Sequence, residues 1–333
     1  MKLSVLDQSP VSIGESAEEA LNHSIELAQL TESLGFTRYW FAEHHNTNGL
    51  ASSAPEIAVS TVLNYTEKLK VGSGGVLLPQ YSPLKVAETF RMLEAFHPGR
   101  VDLGLGRSPG GGNKTRTALT DGMNKSLSSF QRQVKELQQF LHDSIPKGHD
   151  YYGVKAKPDT SSNPDVWVLG LSERGAKHAA LNGTGFTYGY FIDPRDAGTA
   201  IEVYRNNFQP SYSLERPEVN MCVFAVCAET EEEAEFLAKS QDMWLLQVEK
   251  GLDTRIHPPE ELSYEDLTEE EKGKISKNRE RCIIGTPDEV AKELQKLADI
   301  YSVEEFLLIT NIYDFKKKKA SYKNIKMAVD NLA

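Results

Sequence analysis

Short runs of β-branched, aromatic and aliphatic residues alternate along this chain with longer stretches in which apolar residues recur every three or four positions. The first pattern suits buried strands and the second amphipathic helices, and their alternation is the mark of parallel βα units. Strands are predicted at Leu3–Leu6, Arg38–Ala42, Leu69–Leu78, Val101–Leu105, Val166–Leu169, Phe186–Tyr190, Val219–Ala228 and Glu305–Thr310. Helix starts are marked by Ser16 with Glu19 and by Thr286-Pro287 with Glu289, both readable as capping boxes, and by the Ser82-Pro83 and Asp193-Pro194 pairs. In the first helix Ala17, Ala20, Leu21, Ser24, Ile25 and Ala28 form a stripe that would cover a sheet, and Gly35 supplies a stop. Eight strands with intervening helices favour a closed (β/α)8 TIM barrel of the α/β class over an open doubly wound sheet, as a single domain over residues 1–333.

Two stretches break the rhythm. Gly106–Lys125 is rich in Gly, Ser, Thr and Asn and follows the fourth strand, where a barrel carries its functional loops. Glu249–Arg281 is a long charged insertion before the last βα unit, with Pro258-Pro259 and the run Glu269-Glu270-Glu271-Lys272. Few apolar residues interrupt its charges, so a mobile lid over 249–281 is expected.

Composition narrows the field. Hydrophobic residues make up 39% of the chain and charged residues 26%, enough for a packed core. A net charge of -11 repels nucleic acid and anionic membranes. Cys222, Cys227 and Cys282 form no C-x-x-C pair, which points to a reducing compartment without a disulfide framework or cysteine zinc site. The apolar start is stopped by Asp7, too early for a secretory core, and no run approaches the ~20 residues of a membrane helix. A cytoplasmic protein is expected.

Candidate chemistry gathers at the predicted C-terminal ends of strands. Gly104-Leu105-Gly106-Arg107 fails the spacing of a dinucleotide fingerprint, and Gly112-Asn113-Lys114-Thr115 only resembles the end of a P-loop. What remains is Arg107 at a strand end, either a structural arginine or an anion ligand. A helix starts at Ser172 after Gly170, and Ser172 through Gly175 could cap that helix, present free N–H groups to a phosphate, or do both. Glu43-His44-His45-Asn46 follows the second strand. Neighbouring side chains on an extended segment point apart, and no H-E-x-x-H occurs, so no metal site is expected. One of the two histidines is an acid–base candidate. Gly72-Ser73-Gly74-Gly75 inside a strand reads either as a bulge or as backbone backing a flat ligand. Neither a G-x-S-x-G elbow nor a Cys/His dyad is visible, so nucleophilic hydrolysis has little support.

Taken together, Asp7-Gln8-Ser9-Pro10, Ala42-Glu43-His44-His45, the segment Val71–Pro79, the run Pro98–Arg107 and Ile284-Gly285-Thr286-Pro287 resemble the bacterial-luciferase-like flavin-dependent monooxygenases, most closely the single-component type. The resemblance spans nearly the whole chain. It implies a barrel binding reduced FMN at its C-terminal rim, usually as a homodimer, with a separate flavin reductase as transient donor and oxygen activated at the flavin. It further implies that Arg107 and Ser172–Gly175 hold the FMN phosphate, that Gly74-Gly75 backs the ring through a cis peptide beside Ala42, and that His44 sits at the reactive edge while His45 points away. Gly106 stands where luciferase alpha subunits carry a reactive cysteine, which argues against light emission. Gly175 stands where members often have a serine or threonine. A small organic substrate is expected. Two other readings stay open: a deazaflavin-dependent reductase, with Lys114 and Arg116 serving a longer anionic tail, and a non-catalytic flavin-binding protein.

Overall fold

The computed structural model describes residues 1–108, 110–123 and 125–332; Pro109 and Asn124, both in the predicted Gly106–Lys125 loop, lie outside the described residues. Strands β1 (Lys2–Asp7), β2 (Arg38–Phe41), β3 (Lys70–Leu77), β4 (Val101–Gly106), β5 (Asp165–Gly170), β6 (Gly185–Tyr188), β7 (Val219–Cys227), β8 (Cys282–Gly285) and β9 (Glu305–Ile309) all pair in parallel. Strands β1 to β7 follow one another in the ring, and β9 closes it by pairing with both β7 and β1. The expected barrel is therefore present.

Strand β8 escaped the sequence reading. It is four residues long and pairs only with the far end of β7, from Phe224↔Cys282 to Cys227↔Gly285, while the earlier part of β7 pairs with β9. A run this short has too few positions to show an alternating pattern.

Helices fill the gaps between strands: α1 (Ala17–Ser33), α2 (Pro55–Tyr65), α3 (Pro83–Phe96), α4 (Asn113–Leu119), α5 (Phe130–Leu141), α6 (Glu173–Leu181), α7 (Ala197–Asn207), α8 (Glu231–Lys250), α9 (Glu269–Arg279), α10 (Pro287–Tyr301) and α11 (Phe315–Asn331). The capping boxes at Ser16/Glu19 and Thr286/Glu289 form as predicted, and Gly35 follows α1 with φ 78°. The α1 stripe is rotated from the expected one: Ala20, Ser24, Leu27, Ala28 and Thr31 are buried while Leu21 is exposed. Asp193-Pro194 does not open a helix. The Asp193 carboxylate accepts from the Arg195 backbone N–H at 3.0 Å and pairs with the Arg195 guanidinium, a local turn that delays α7 to Ala197.

Two apolar layers hold the barrel. Outward-facing residues such as Val5, Tyr39, Val71, Leu103 and Val223 pack under the helices, and inward-facing Leu6, Trp40, Trp167, Phe224 and Leu307 fill the lumen. At the N-terminal end of the strands the lumen is stoppered by charge. Arg38 donates to Asp102 at 2.9 Å and to Glu305 at 2.6 Å, Trp40 Nε1 donates to Asp102 at 2.8 Å, and the guanidinium stacks 4.7 Å from the Trp167 ring. The opposite end stays open.

The charged stretch 249–281 runs from the last turn of α8 to the start of β8, thus ahead of two strands rather than one, and it has secondary structure of its own. It includes the last residues of α8 and all of α9, whose Thr268/Glu271 capping box is complete. Ile256, Leu262 and Ile275 are buried anchors, and Arg279 pairs with Asp242 of α8 at 2.7 Å. The stretch also reaches the rim: Gly49 N–H donates to Thr254 Oγ1 at 3.1 Å, and Ile256 exchanges backbone bonds with Val11 and Ile13.

Candidate functional site

A cavity of about 640 Å³ opens at the C-terminal end of the barrel, within the size range of small-molecule and cofactor sites. Each residue nominated as catalytic or FMN-binding lines it: Ala42, His44, His45, Gly74, Gly75, Arg107, Ser172 and Gly175.

The β3 wall is made of backbone. Pairing with β4 slips between Ser73 and Val76, so the predicted bulge is real, and the Gly74–Gly75 peptide is cis as expected. Glycine is required by close approach. A Cβ on Gly74 would lie 2.5 Å from Leu6 Cδ1, and one on Gly75 would lie 2.6 Å from the Gly104 carbonyl oxygen. The result is a smooth wall at the strand's end, beside Ala42.

One end of the cavity is suited to an anion. Arg107 stands where β4 ends, and no acidic side chain pairs with it among the described residues. Helix α6 begins nearby. Ser172 caps it, but its hydroxyl accepts from Gly175 N–H at a long 3.5 Å, leaving the first-turn donors largely free. Gly175 also has a packing reason: a Cβ there would lie 3.2 Å from Gly170 Cα, so helix and strand end meet backbone to backbone. His178, one turn further, is held below its ordinary pKa by burial and then by the positive charges of Arg174 and Arg107. Positive groups gather at this end; among the described residues the cavity wall carries no carboxylate but Glu43, and Glu173 in the first turn of α6 is exposed off that wall.

The Glu43-His44-His45 segment leaves the strand before its histidines, because β2 stops at Phe41 and Asn46 takes a left-handed φ of 53°. The simple alternation expected of an extended segment therefore fails, and both histidines line the cavity. They are held differently. Glu43, only 5% exposed, accepts from Leu77 N–H at 2.8 Å, from Tyr81 Oη at 2.5 Å and pairs with His45 Nε2 at 2.7 Å. His45 is thus tethered. His44 Nδ1 is shielded from water without a partner among the described residues. Burial, reinforced by the neighbouring His45, lowers its pKa to about 4, so the ring is neutral at physiological pH.

Sequence reasoning passed over several wall residues. Gln8 and Thr187, 5% and 1% exposed, each present a polar atom without a partner, and Cys222, Phe191 and Trp244 complete that side. Gln8 stood inside a quoted motif; the others had only strand or helix periodicity, which reports burial and not which way the barrel closes. Among the described residues no three His, Cys, Asp or Glu side chains converge as a metal site would need, and no helix is long and apolar enough to cross a membrane. Lys114 and Arg116 do not line the cavity; Arg116 donates to the Lys125 carbonyl.

An open-ended barrel with an anion cradle and a glycine wall on one cavity is an enzyme architecture with many tenants. Comparison with known proteins narrows it. The family model for luciferase-like monooxygenase matches residues 1–302, and the chain belongs to that family. It is 51% identical over 323 residues to the uncharacterized protein YceB of Bacillus subtilis, covering 97% of this chain and 98% of that one. The N-acetyl-S-alkylcysteine monooxygenase of the same organism is 35% identical over 334 residues, covering 99% and 98% of the two chains. Among solved structures, apo-MsnO8 superposes with a TM-score of 0.89 at 33% identity, covering 99% of this chain and 98% of that chain.

Proposed function

We propose that this enzyme is an FMN-dependent monooxygenase acting on a small organic substrate with reduced FMN and O2. One observation carries the reading: the unpaired Arg107, the open start of α6 and the glycine wall at Gly74–Gly75 share one cavity with an unpartnered His44 nitrogen. The residues fit the cofactor. Arg107 and the N–H groups after Ser172 would bind its phosphate, and the side-chain-free stretch Gly74–Gly75 beside Ala42 would let a flat ring lie against backbone. Bound reduced flavin supplies the activation of oxygen and the transfer of one oxygen atom. The chain's own contribution is to hold the ring dry and to offer His44 Nδ1 as a neutral proton acceptor or hydrogen-bond partner at its edge.

A separate flavin reductase would deliver the cofactor; a relative 23% identical to this chain is named as the oxygenase component of a trigonelline monooxygenase. Assembly as a homodimer is part of the same reading, supported by Ile57, Tyr65, Met92 and Phe96 standing exposed on α2 and α3, and sedimentation velocity would read it. So is a location in the cytoplasm.

The deazaflavin reading has support of its own, since the fold occurs in an F420-dependent secondary alcohol dehydrogenase as well as in an FMN-bound diketocamphane monooxygenase constituent, each 18% identical and alike in fold alone. Lys114 and Arg116, the groups that would serve its longer tail, stand off the cavity wall, which favours FMN. Titration with oxidised FMN, reduced FMN and the deazaflavin coenzyme, followed by admission of air, separates the three readings. We expect reduced FMN to bind and to consume oxygen on mixing. Tight deazaflavin binding without oxygen consumption would select the reductase, and FMN binding that never supports turnover would leave a carrier.

We further propose that 249–281 moves as a lid, because its Thr254 already stands at the cavity edge while Ser263, Glu265 and Asp266 are exposed. Limited proteolysis is expected to cut first within this stretch and to slow when FMN and substrate are present. Unchanged cleavage would leave it a fixed part of the wall.

A further inference from the structure

The cavity has two halves of different chemistry. In the strand ring β1 faces β5, β2 faces β6 and β3 faces β7. The glycine wall of β3 and the anion cradle after β4 and β5 thus lie across the mouth from β7, β9 and β1; an arc of different chemistry runs from β6, beside the cradle, through β7 to β1 and is roofed by α8. That arc contributes Gln8, Thr187, Phe191, Ile192, Cys222, Trp244 and Val248.

No charge faces into the arc among the described residues. The charged groups nearest to it are engaged elsewhere. Asp7 accepts from Ser9 N–H at 2.8 Å and from Tyr39 Oη at 2.6 Å, on the far side of β1. Arg281 donates to the carbonyls of Phe191 and Ile192, each at 3.0 Å, and to Asn278. Asp253 and Arg255 pair with each other. The Cys222 thiol is fully buried and pushed up in pKa, so it too is neutral. The indole N–H of Trp244 is taken by the Thr254 carbonyl at 2.9 Å, which turns an apolar ring surface to the cavity.

Two polar atoms remain unanswered. Gln8 Oε1 and Thr187 Oγ1 are shielded from solvent, have no partner among the described residues, and belong to residues that are 5% and 1% exposed. Buried polar groups left alone in this way are costly and are met in practice by water or a ligand. An ionised ligand, by contrast, would have to leave water for a wall that offers it no counter-charge.

We propose that this arc selects an uncharged substrate: an apolar chain or ring against Phe191, Ile192, Trp244 and Val248, joined to one neutral polar group of the amide or hydroxyl class that hydrogen-bonds Gln8 and Thr187. The assignment rests on the flavin reading only in giving the opposite half of the cavity to the cofactor.

The test uses the full chain with and without FMN and a matched pair of probes. N-butylacetamide and 4-acetamidobutanoate share the amide and the chain and differ in ending with a methyl group or a carboxylate. By calorimetry, N-butylacetamide should bind at least tenfold more tightly to the FMN-loaded chain. Gln8→Leu and the nearly isosteric Thr187→Val should each weaken it several-fold, with circular dichroism confirming that they fold. Val248→Lys, at a position 41% exposed, should bring a cation to the arc and narrow or reverse the preference. Equal or tighter binding of the carboxylate to the unmodified chain, no binding of either probe, or full indifference to Gln8→Leu and Thr187→Val each overturns the proposal. The same titrations measure FMN itself. If FMN fails to bind while the probes are still discriminated, the cofactor reading falls and the neutral arc stands; if FMN binds and the probes are not discriminated, the reverse holds.

Discussion

Replacing Arg107 by alanine is expected to weaken FMN binding ten- to a hundredfold while leaving riboflavin nearly untouched. A charge-assisted bond to phosphate contributes roughly 1.5–3 kcal/mol, and each ~1.4 kcal/mol is a factor of ten. Arg107 is suited to that bond because no carboxylate competes for it among the described residues. Its removal should leave the fold intact, since its guanidinium takes no part in the ion pairs that stopper the barrel. Parallel titrations of the two flavins measure the effect. Equal losses for both would take Arg107 out of the phosphate site and leave α6 to carry the anion alone.

The second large effect concerns His44. His44→Ala should keep flavin affinity within a few-fold yet lower coupled oxygenation by ~100-fold or more, the scale of losing a positioned acid–base group. The flavin should then reoxidise without product and release hydrogen peroxide, so the quantity to measure is product formed per flavin oxidised. His45→Ala serves as the comparison, because the Glu43 tether suits it to holding the rim in place. Loss of coupling in His45→Ala alone would transfer the role to that ring, and full coupling in both variants would remove histidine from the chemistry.

The environment of His44 also fixes a direction with pH. Its folded pKa of about 4 lies below the ordinary 6.5, so the unfolded chain takes up the proton more readily. Stability from this group is complete above about 6.5 and is lost as pH falls toward 4. A pH–rate profile should therefore show no inflection from His44 near neutrality, only a limb at the acid end.

Much of this architecture could be read from the chain because barrel strands buried on both faces leave dense apolar runs, and the helices between them announce their first turns chemically. All eight strands of the ring were marked this way, whereas the cis bond at Gly74–Gly75 followed only from the family resemblance, since the run of glycines by itself reads equally as a bulge or as a ligand wall. What escaped depended on three-dimensional closure. Strand β8 is too short to show a period, and Asp193-Pro194 carries a helix-start pattern that Arg195 diverts into a turn. Spacing alone could not tell the two histidines apart, and only the resemblance singled out His44, since their difference in setting comes from Glu43, whose other partners Leu77 and Tyr81 arrive from β3 and the segment after it. Gln8 and Thr187 look like ordinary strand-end residues until β1 and β6 are brought to one mouth.

The charged stopper of Arg38, Asp102 and Glu305 makes the barrel a blind well. Every molecule that reaches its depth must come and go through the same rim, past Trp244 and the Thr254 segment. Because both halves of the well share that one mouth, a guest held in either half narrows the way in and out for the other.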